Sequence, residues 1–134
     1  MPPGSTNASQ IAARAERKVP EDLVDALARP FQDEATSVVL FGSYAHGDQA
    51  PGSDVDVALV ANGPEMKSAL ESAIAAHASE FRSRFGASLS ALTYTHEEAA
   101  ALWDINSDLA ESLCRDGVVV SGLSPWDWHD HAQE

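Results

Sequence analysis

The sequence predicts a small α/β domain of the α+β type, and three observations carry that prediction. Ser37–Phe41 and Asp54–Ala61 are short apolar runs bounded by polar and turn-forming residues, the pattern of buried strands. Glu65–Phe85 is long and Ala-rich, with Met66, Leu70, Ile74 and Phe81 at helical spacing, so it reads as the main helix covering one face of a sheet. Ala87–Tyr94 then alternates with period two, which makes a third strand with one apolar face. At 134 residues the chain has room for one such core.

The remaining elements follow in order. Met1–Ala8 is rich in Pro, Gly, Ser and Asn and is expected to be a flexible leader, with a loose Ala-rich helix over Ser9–Lys18. Pro20 opens a helix whose Leu23, Leu27 and Phe31 repeat on one side, and Pro30 discourages its extension. Between the first two strands, Gly47-Asp48-Gln49-Ala50-Pro51-Gly52-Ser53 leaves no room for regular structure. Gly86 is placed to end the main helix. Thr95 and Glu98 stand at capping-box spacing and predict a helix through Trp103, followed by another over Asn106–Arg115. Val118–Val120 is expected as a last edge strand, which gives a domain over 20–123 between a leader at 1–19 and an exposed tail at 124–134.

Charge and cysteine usage narrow the function. Eight Lys+Arg against twenty-one Asp+Glu give a formal net charge of −13, which repels long phosphate backbones and disfavours DNA or RNA as a partner. A nucleoside triphosphate is different, because a bound divalent cation neutralises it locally. Cys114 is the only cysteine, so neither an internal disulfide nor a thiolate metal cluster is available. No apolar run approaches the roughly 20 residues of a membrane span, and the start lacks the apolar core of a secretory signal. A cytoplasmic protein without membrane contact is the expectation.

The chemistry concentrates in two short motifs. Asp54 and Asp56 are one residue apart in a strand, so both carboxylates share a face while Val55 and Val57 pack inward on the other. Two anions held together destabilise each other unless a cation binds between them, and Mg²⁺ takes such carboxylates together with substrate phosphates. Gly42-Ser43 directly follows a strand and begins a helical turn over Tyr44–His46. The glycine admits a phosphate closely, the Ser43 hydroxyl can donate to its oxygen, and the backbone N–H groups can point at it. No Gly-Lys-Ser/Thr follows, so this is not a P-loop.

Gly42-Ser43, ten intervening residues and Asp54-Val55-Asp56 together resemble the GS-x10-DxD signature of the polymerase-beta-like nucleotidyltransferase superfamily. The flanks Phe41–Gly47 and Gly52–Val57 resemble its minimal nucleotidyltransferases, which include antitoxin partners of HEPN toxins. The resemblance implies a small mixed β-sheet with helices packed mainly on one face. It also implies Mg²⁺- or Mn²⁺-dependent transfer of a nucleoside monophosphate from an NTP, with ATP expected, to a hydroxyl of a protein or small molecule. Gly42, Ser43 and Ser53 would hold the nucleotide, and Asp54 and Asp56 would be catalytic and bind metal. A HEPN-type toxin is the implied protein partner.

Two departures from that pattern bear on activity. His46 stands where arginine is common. Active members carry a third carboxylate on the next strand, where this chain offers Ser88 and Ser90; Ser is a weak Mg²⁺ ligand and no base at neutral pH. Glu97 and Glu98 are closer to the acidic first turn of a helix than to substitutes. Lys67 is the choice among Lys67, Arg82 and Arg84 for a cation on the triphosphate, with a solvated helix surface as the equal alternative. The rival function is a degenerate domain that binds nucleotide or a partner without catalysis. His77 and His96 are expected at a helix face and a turn, Tyr44 and Tyr94 read as packing residues, His129 and His131 as solvated, and Trp126 and Trp128 as docking on a partner or on the domain itself.

Overall fold

The computed structural model describes residues 19–47 and 52–128. The expected leader and its Ala-rich helix up to residue 18, the loop positions 48–51, and His129 and His131 lie outside the described residues. Helix α1 (Glu21–Ala28) runs into a 3₁₀ turn, Arg29–Phe31, where Pro30 ends it. Strand β1 (Ala35–Phe41) leads to a one-turn helix α2 (Ser43–His46), and β2 (Val55–Ala61) follows. Helix α3 (Pro64–Phe85) has 22 residues and ends on the left-handed Gly86. Then come β3 (Leu89–Thr95), α4 (His96–Ala100), α5 (Leu102–Ile105), α6 (Ser107–Asp116), β4 (Val118–Gly122) and a 3₁₀ turn, Pro125–Asp127.

The four strands form one mixed sheet in the order β3-β2-β1-β4. Strand β1 is antiparallel to both β2 and β4, whereas β2 and β3 are parallel. Parallel neighbours need a long crossover, and α3 supplies it. The alternation in the strands divides the core. Val38, Leu40, Val55, Val57, Leu59 and Ala61 join Leu23, Leu27, Phe31, Leu70 and Phe81 in the larger cluster, so α1 and α3 cover that face. Val39, Ala58 and Val60 face the other way and meet Ala99, Leu102, Ala110 and Leu113 of α4, α5 and α6. The longest helix and the larger core thus share one face, and the shorter helices close the second.

Three sequence expectations change at the edges. Val19, assigned to the leader, is fully buried in the larger core. The capping box at Thr95 forms, with Thr95 and Glu98 bonded reciprocally, but its helix breaks at Ala101 into α4 and α5. In the tail expected to be exposed from residue 124, Trp126 and Asp127 are exposed but Trp128 is not, being 3% exposed in the smaller core. The Trp128 indole Nε1 donates to Ser37 Oγ at 2.9 Å, and Ser37 Oγ donates to the Leu123 carbonyl at 2.6 Å. Ser37 is the one buried polar side chain among the described residues, and these bonds satisfy it. Among the described residues, no helix is long and apolar enough to cross a membrane.

Candidate active site

Antiparallel pairing of β1 with β2 and β4, and parallel pairing of β2 with β3, bring four strand ends together: the C-terminal end of β1 and the N-terminal ends of the other three. Gly42 and Ser43 leave β1 there, while Asp54 and Asp56 enter with β2. Asp56 pairs with Phe41 on one side and with Ser90 on the other. The two sequence motifs therefore meet across neighbouring strands, although eleven positions separate Ser43 from Asp54 in the chain.

Backbone geometry at Gly42 is what lets them touch. Its φ of 74° and ψ of −156° lie in a region that only glycine occupies readily. A Cβ there would collide with Asp56 Oδ2 and crowd the rest of that carboxylate. The glycine thus leaves a cradle in which the backbone sits directly against the Asp56 side chain. Its carbonyl accepts from Ala45 N at 3.1 Å and His46 N at 3.4 Å, closing the α2 turn. The N–H groups of Ser43 and Tyr44 precede any acceptor within the turn and face its start.

Burial raises the Asp56 carboxyl above its ordinary pKa; a hydrogen bond with the Ser90 side chain pulls it back, and the Asp54 charge adds to the rise. Val55 and Val57 are fully buried beneath them, as the alternation requires. Asp54 is exposed, Ser53 is half-buried beside it, and Ser43 is half-buried at the turn. Two hard carboxylates on one face, one of them disfavoured as an unpaired anion, fit a single divalent cation that completes its shell with phosphate oxygens and water. Among the described residues, no group of three His, Cys, Asp or Glu is arranged for a metal.

Ser88 and Ser90 both stand at this end. Ser90 faces Asp56, but Ser88 Oγ accepts from Arg82 Nη1 at 3.0 Å. Lys67 is not brought here, which corrects its expected place on the nucleotide. Helix α3 starts after β2 has run its length, and five residues of strand from Asp56 to Ala61 span roughly 17 Å at about 3.3 Å per residue. Its first turn is therefore at the far end, where Lys67 Nζ bonds Glu98 Oε1 at 3.0 Å. The same geometry returns the other end of α3, with Arg82, to the start of β3. On the β4 side, His46 Nε2 lies 3.8 Å from Asp116 Oδ2, and Arg115 bonds both Glu111 and Asp116. Asp116 is the residue that reading along the chain misses; its only signal is its place just before the edge strand, which pairs Val118 with Leu40.

A mixed four-stranded sheet with a Gly-Ser turn against an Asp-x-Asp strand is the arrangement of a nucleotidyltransferase fold. The chain belongs to the nucleotidyltransferase domain family, whose model matches residues 21–122. That family is one of enzymes that transfer nucleoside monophosphates. A crystal structure described as a toxin–antitoxin with AMP-PNP shares the fold at a TM-score of 0.51 and 17% identity, covering 82% of this chain and 83% of that one. A second, described as a mutant MntA–HpeT toxin–antitoxin, aligns at a TM-score of 0.49 and 14% identity over 82% of this chain and 83% of that one. Comparison with curated proteins gives no match.

Proposed function

We propose that this chain transfers a nucleoside monophosphate from an NTP, ATP by expectation, to a hydroxyl on a partner protein, with pyrophosphate leaving. The observation that supports this reading is the cradle at Gly42, where a phosphate-binding turn lies against the Asp56 carboxylate. Ser43 Oγ and the N–H groups that open α2 bind the triphosphate, and Ser53 supports it from the neighbouring strand end. Asp54 and Asp56 hold Mg²⁺ or Mn²⁺. The ion, when bound, offsets phosphate charge and polarises the phosphorus for attack. Ser90 keeps the Asp56 carboxylate in place through its hydrogen bond. A protein acceptor, of which a HEPN-type toxin is one class, is preferred because the toxin–antitoxin with AMP-PNP shares the fold. Such a setting is cytoplasmic, where NTPs are abundant.

The test is incorporation of label from α-labelled NTPs, with Mg²⁺ or Mn²⁺, by the full chain alone and with the protein encoded next to it. Asp54→Ala and Asp56→Ala are each expected to lower transfer by about 100-fold or more, since loss even of a ligand's supporting partner weakens a metal site 10- to 100-fold. Absence of transfer with every nucleotide, together with nucleotide binding indifferent to Asp54→Ala, would sink the enzymatic reading.

One observation favours a second reading, a nucleotide- or partner-binding module without turnover. Ser90 pairs in register with Asp56, where a third carboxylate would complete the site. Ser90→Asp separates the two: a gain of tenfold or more in transfer marks that position as the missing ligand. A variant that stays silent while the parent is also silent leaves the binding module as the function.

A further inference from the structure

A cavity of about 290 Å³ lies between α1 and the C-terminal part of α3, and none of Gly42, Ser43, Asp54 and Asp56 lines it. Asp25 and Arg29 line it from α1 and the turn that follows, and Glu80 and Arg84 line it from α3. Each acid precedes its arginine by four residues, the spacing and order at which a helix closes an ion pair most readily. Neither pair closes. Among the described residues, the side chains of Asp25, Arg29 and Glu80 make no ion pair or hydrogen bond. The Arg84 guanidinium stands 5.0 Å over the Phe85 ring, with its Nη2 3.9 Å from Asp22 Oδ1. Phe81 and Phe85 form the aromatic wall, their rings 4.8 Å apart at 40°, and His77 is held edge-on to Phe31 at 6.0 Å.

The lining selects the ligand by charge and by shape. Two guanidinium groups suit a carboxylate, and their planar forks bind it with two donors each. Two open carboxylates in the same cavity repel a dianion such as a phosphate and suit an ammonium instead. Phenyl rings take a flat apolar group. The volume is at the lower end of the range of about 300–1,000 Å³ for small-molecule pockets, the size for one or two rings with a short polar head. In a chain of net charge −13, two acids facing two arginines make a locally neutral place, which a net-neutral ligand enters without repulsion. We propose that this cavity binds a small aromatic zwitterion, an α-amino acid with an aromatic side chain. Its carboxylate lies on Arg29 and Arg84, its ammonium on Asp25 and Glu80, and its ring on Phe81 and Phe85. Binding there needs neither nucleotide nor metal.

The probe is L-phenylalanine, titrated into the full chain without nucleotide or metal and followed by calorimetry and ligand-observed NMR. Expected is saturable one-to-one binding, weakened about tenfold or more in Arg29→Ala and in Glu80→Ala, the effect of losing one charge-assisted hydrogen bond. Phenylpropionate lacks the ammonium, phenethylamine the carboxylate and glycine the ring, so each should bind about tenfold more weakly or worse. Ala26→Leu, which fills the cavity from the α1 wall, should abolish binding. Arg29 and Glu80 are exposed, so their variants should fold, and circular dichroism checks that they do. The proposal is overturned if phenylalanine, tyrosine and tryptophan all fail to saturate up to their solubility limits, or if Arg29→Ala and Glu80→Ala bind undiminished. Phenylpropionate binding as tightly as phenylalanine overturns it too, and assigns the cavity to an aromatic monocarboxylate. Amino-acid binding without nucleotidyl transfer, or transfer without amino-acid binding, shows which of the two proposals has failed.

Discussion

Asp56 is under opposing influences that make its protonation a reporter of the site. Burial and the Asp54 charge raise its pKa, while Ser90 lowers it by a lesser amount. A carboxyl whose pKa is higher folded than unfolded favours the folded state while protonated. That contribution is complete below the unfolded value and is lost as pH rises through the folded one. At pH 7 without metal the charged form therefore costs stability. Asp56→Asn is expected to raise the metal-free thermal midpoint at pH 7, with a gain that fades as pH falls below the ordinary carboxylate range. Mg²⁺ should raise the midpoint of the parent and leave that of the variant unmoved; a lower midpoint for the variant at pH 7 would show that the anion is held by cations instead. Gly42→Ala tests the other half of the corner. Its backbone region costs a non-glycine residue on the order of 1–3 kcal/mol, and the new Cβ would displace the Asp56 carboxylate. Urea unfolding should show that loss, and Mg²⁺ stabilisation should disappear with it.

Among the elements, the segment after β4 has the most decisive energetics. Trp128 fills the smaller core and gives Ser37 its donor. Trp128→Ala should cost about 3–5 kcal/mol in urea denaturation, the usual range for removing a buried large aromatic. Ser37→Ala, which leaves the indole N–H and the Leu123 carbonyl without their partner, should cost about 1–3 kcal/mol. The sequence could not rank Trp128 above Trp126, because both sit in a short polar stretch with no period to indicate which side faces inward. Strands and the long helix were legible for the opposite reason: Val55 and Val57, or Leu70 and Phe81, repeat at intervals that only one element satisfies. The meeting of Gly42 with Asp56 followed from strand order. The misplacement of Lys67 came from judging distance along the chain. A helix of 22 residues spans about 33 Å, so its two ends serve opposite ends of the sheet, and Arg82 is the basic residue that returns.

For the whole molecule, a net charge of −13 opposes the approach of a nucleotide that carries no counter-ion. Asp56 lies against Gly42 and Asp54 is two residues from Asp56 in the chain, so an NTP without a divalent ion meets both the general field and two local carboxylates. Between 0.01 and 0.1 M monovalent salt the Debye length shortens from about 30 to about 10 Å, which weakens the general repulsion more than any contact inside the corner. Metal-free NTP affinity, measured by calorimetry, is therefore expected to rise with salt, the reverse of a nucleic-acid binder. A fall with salt would mean that cations such as Arg82 or protonated His46 hold the phosphates. The double variant Asp54→Asn/Asp56→Asn carries the argument to its conclusion, because its two effects have opposite signs. Removing the carboxylates should strengthen binding of the metal-free nucleotide and abolish the increment that Mg²⁺ adds in the parent. If the variant retains that increment, the ion is held by the nucleotide alone, and the two carboxylates shape the corner without ligating it.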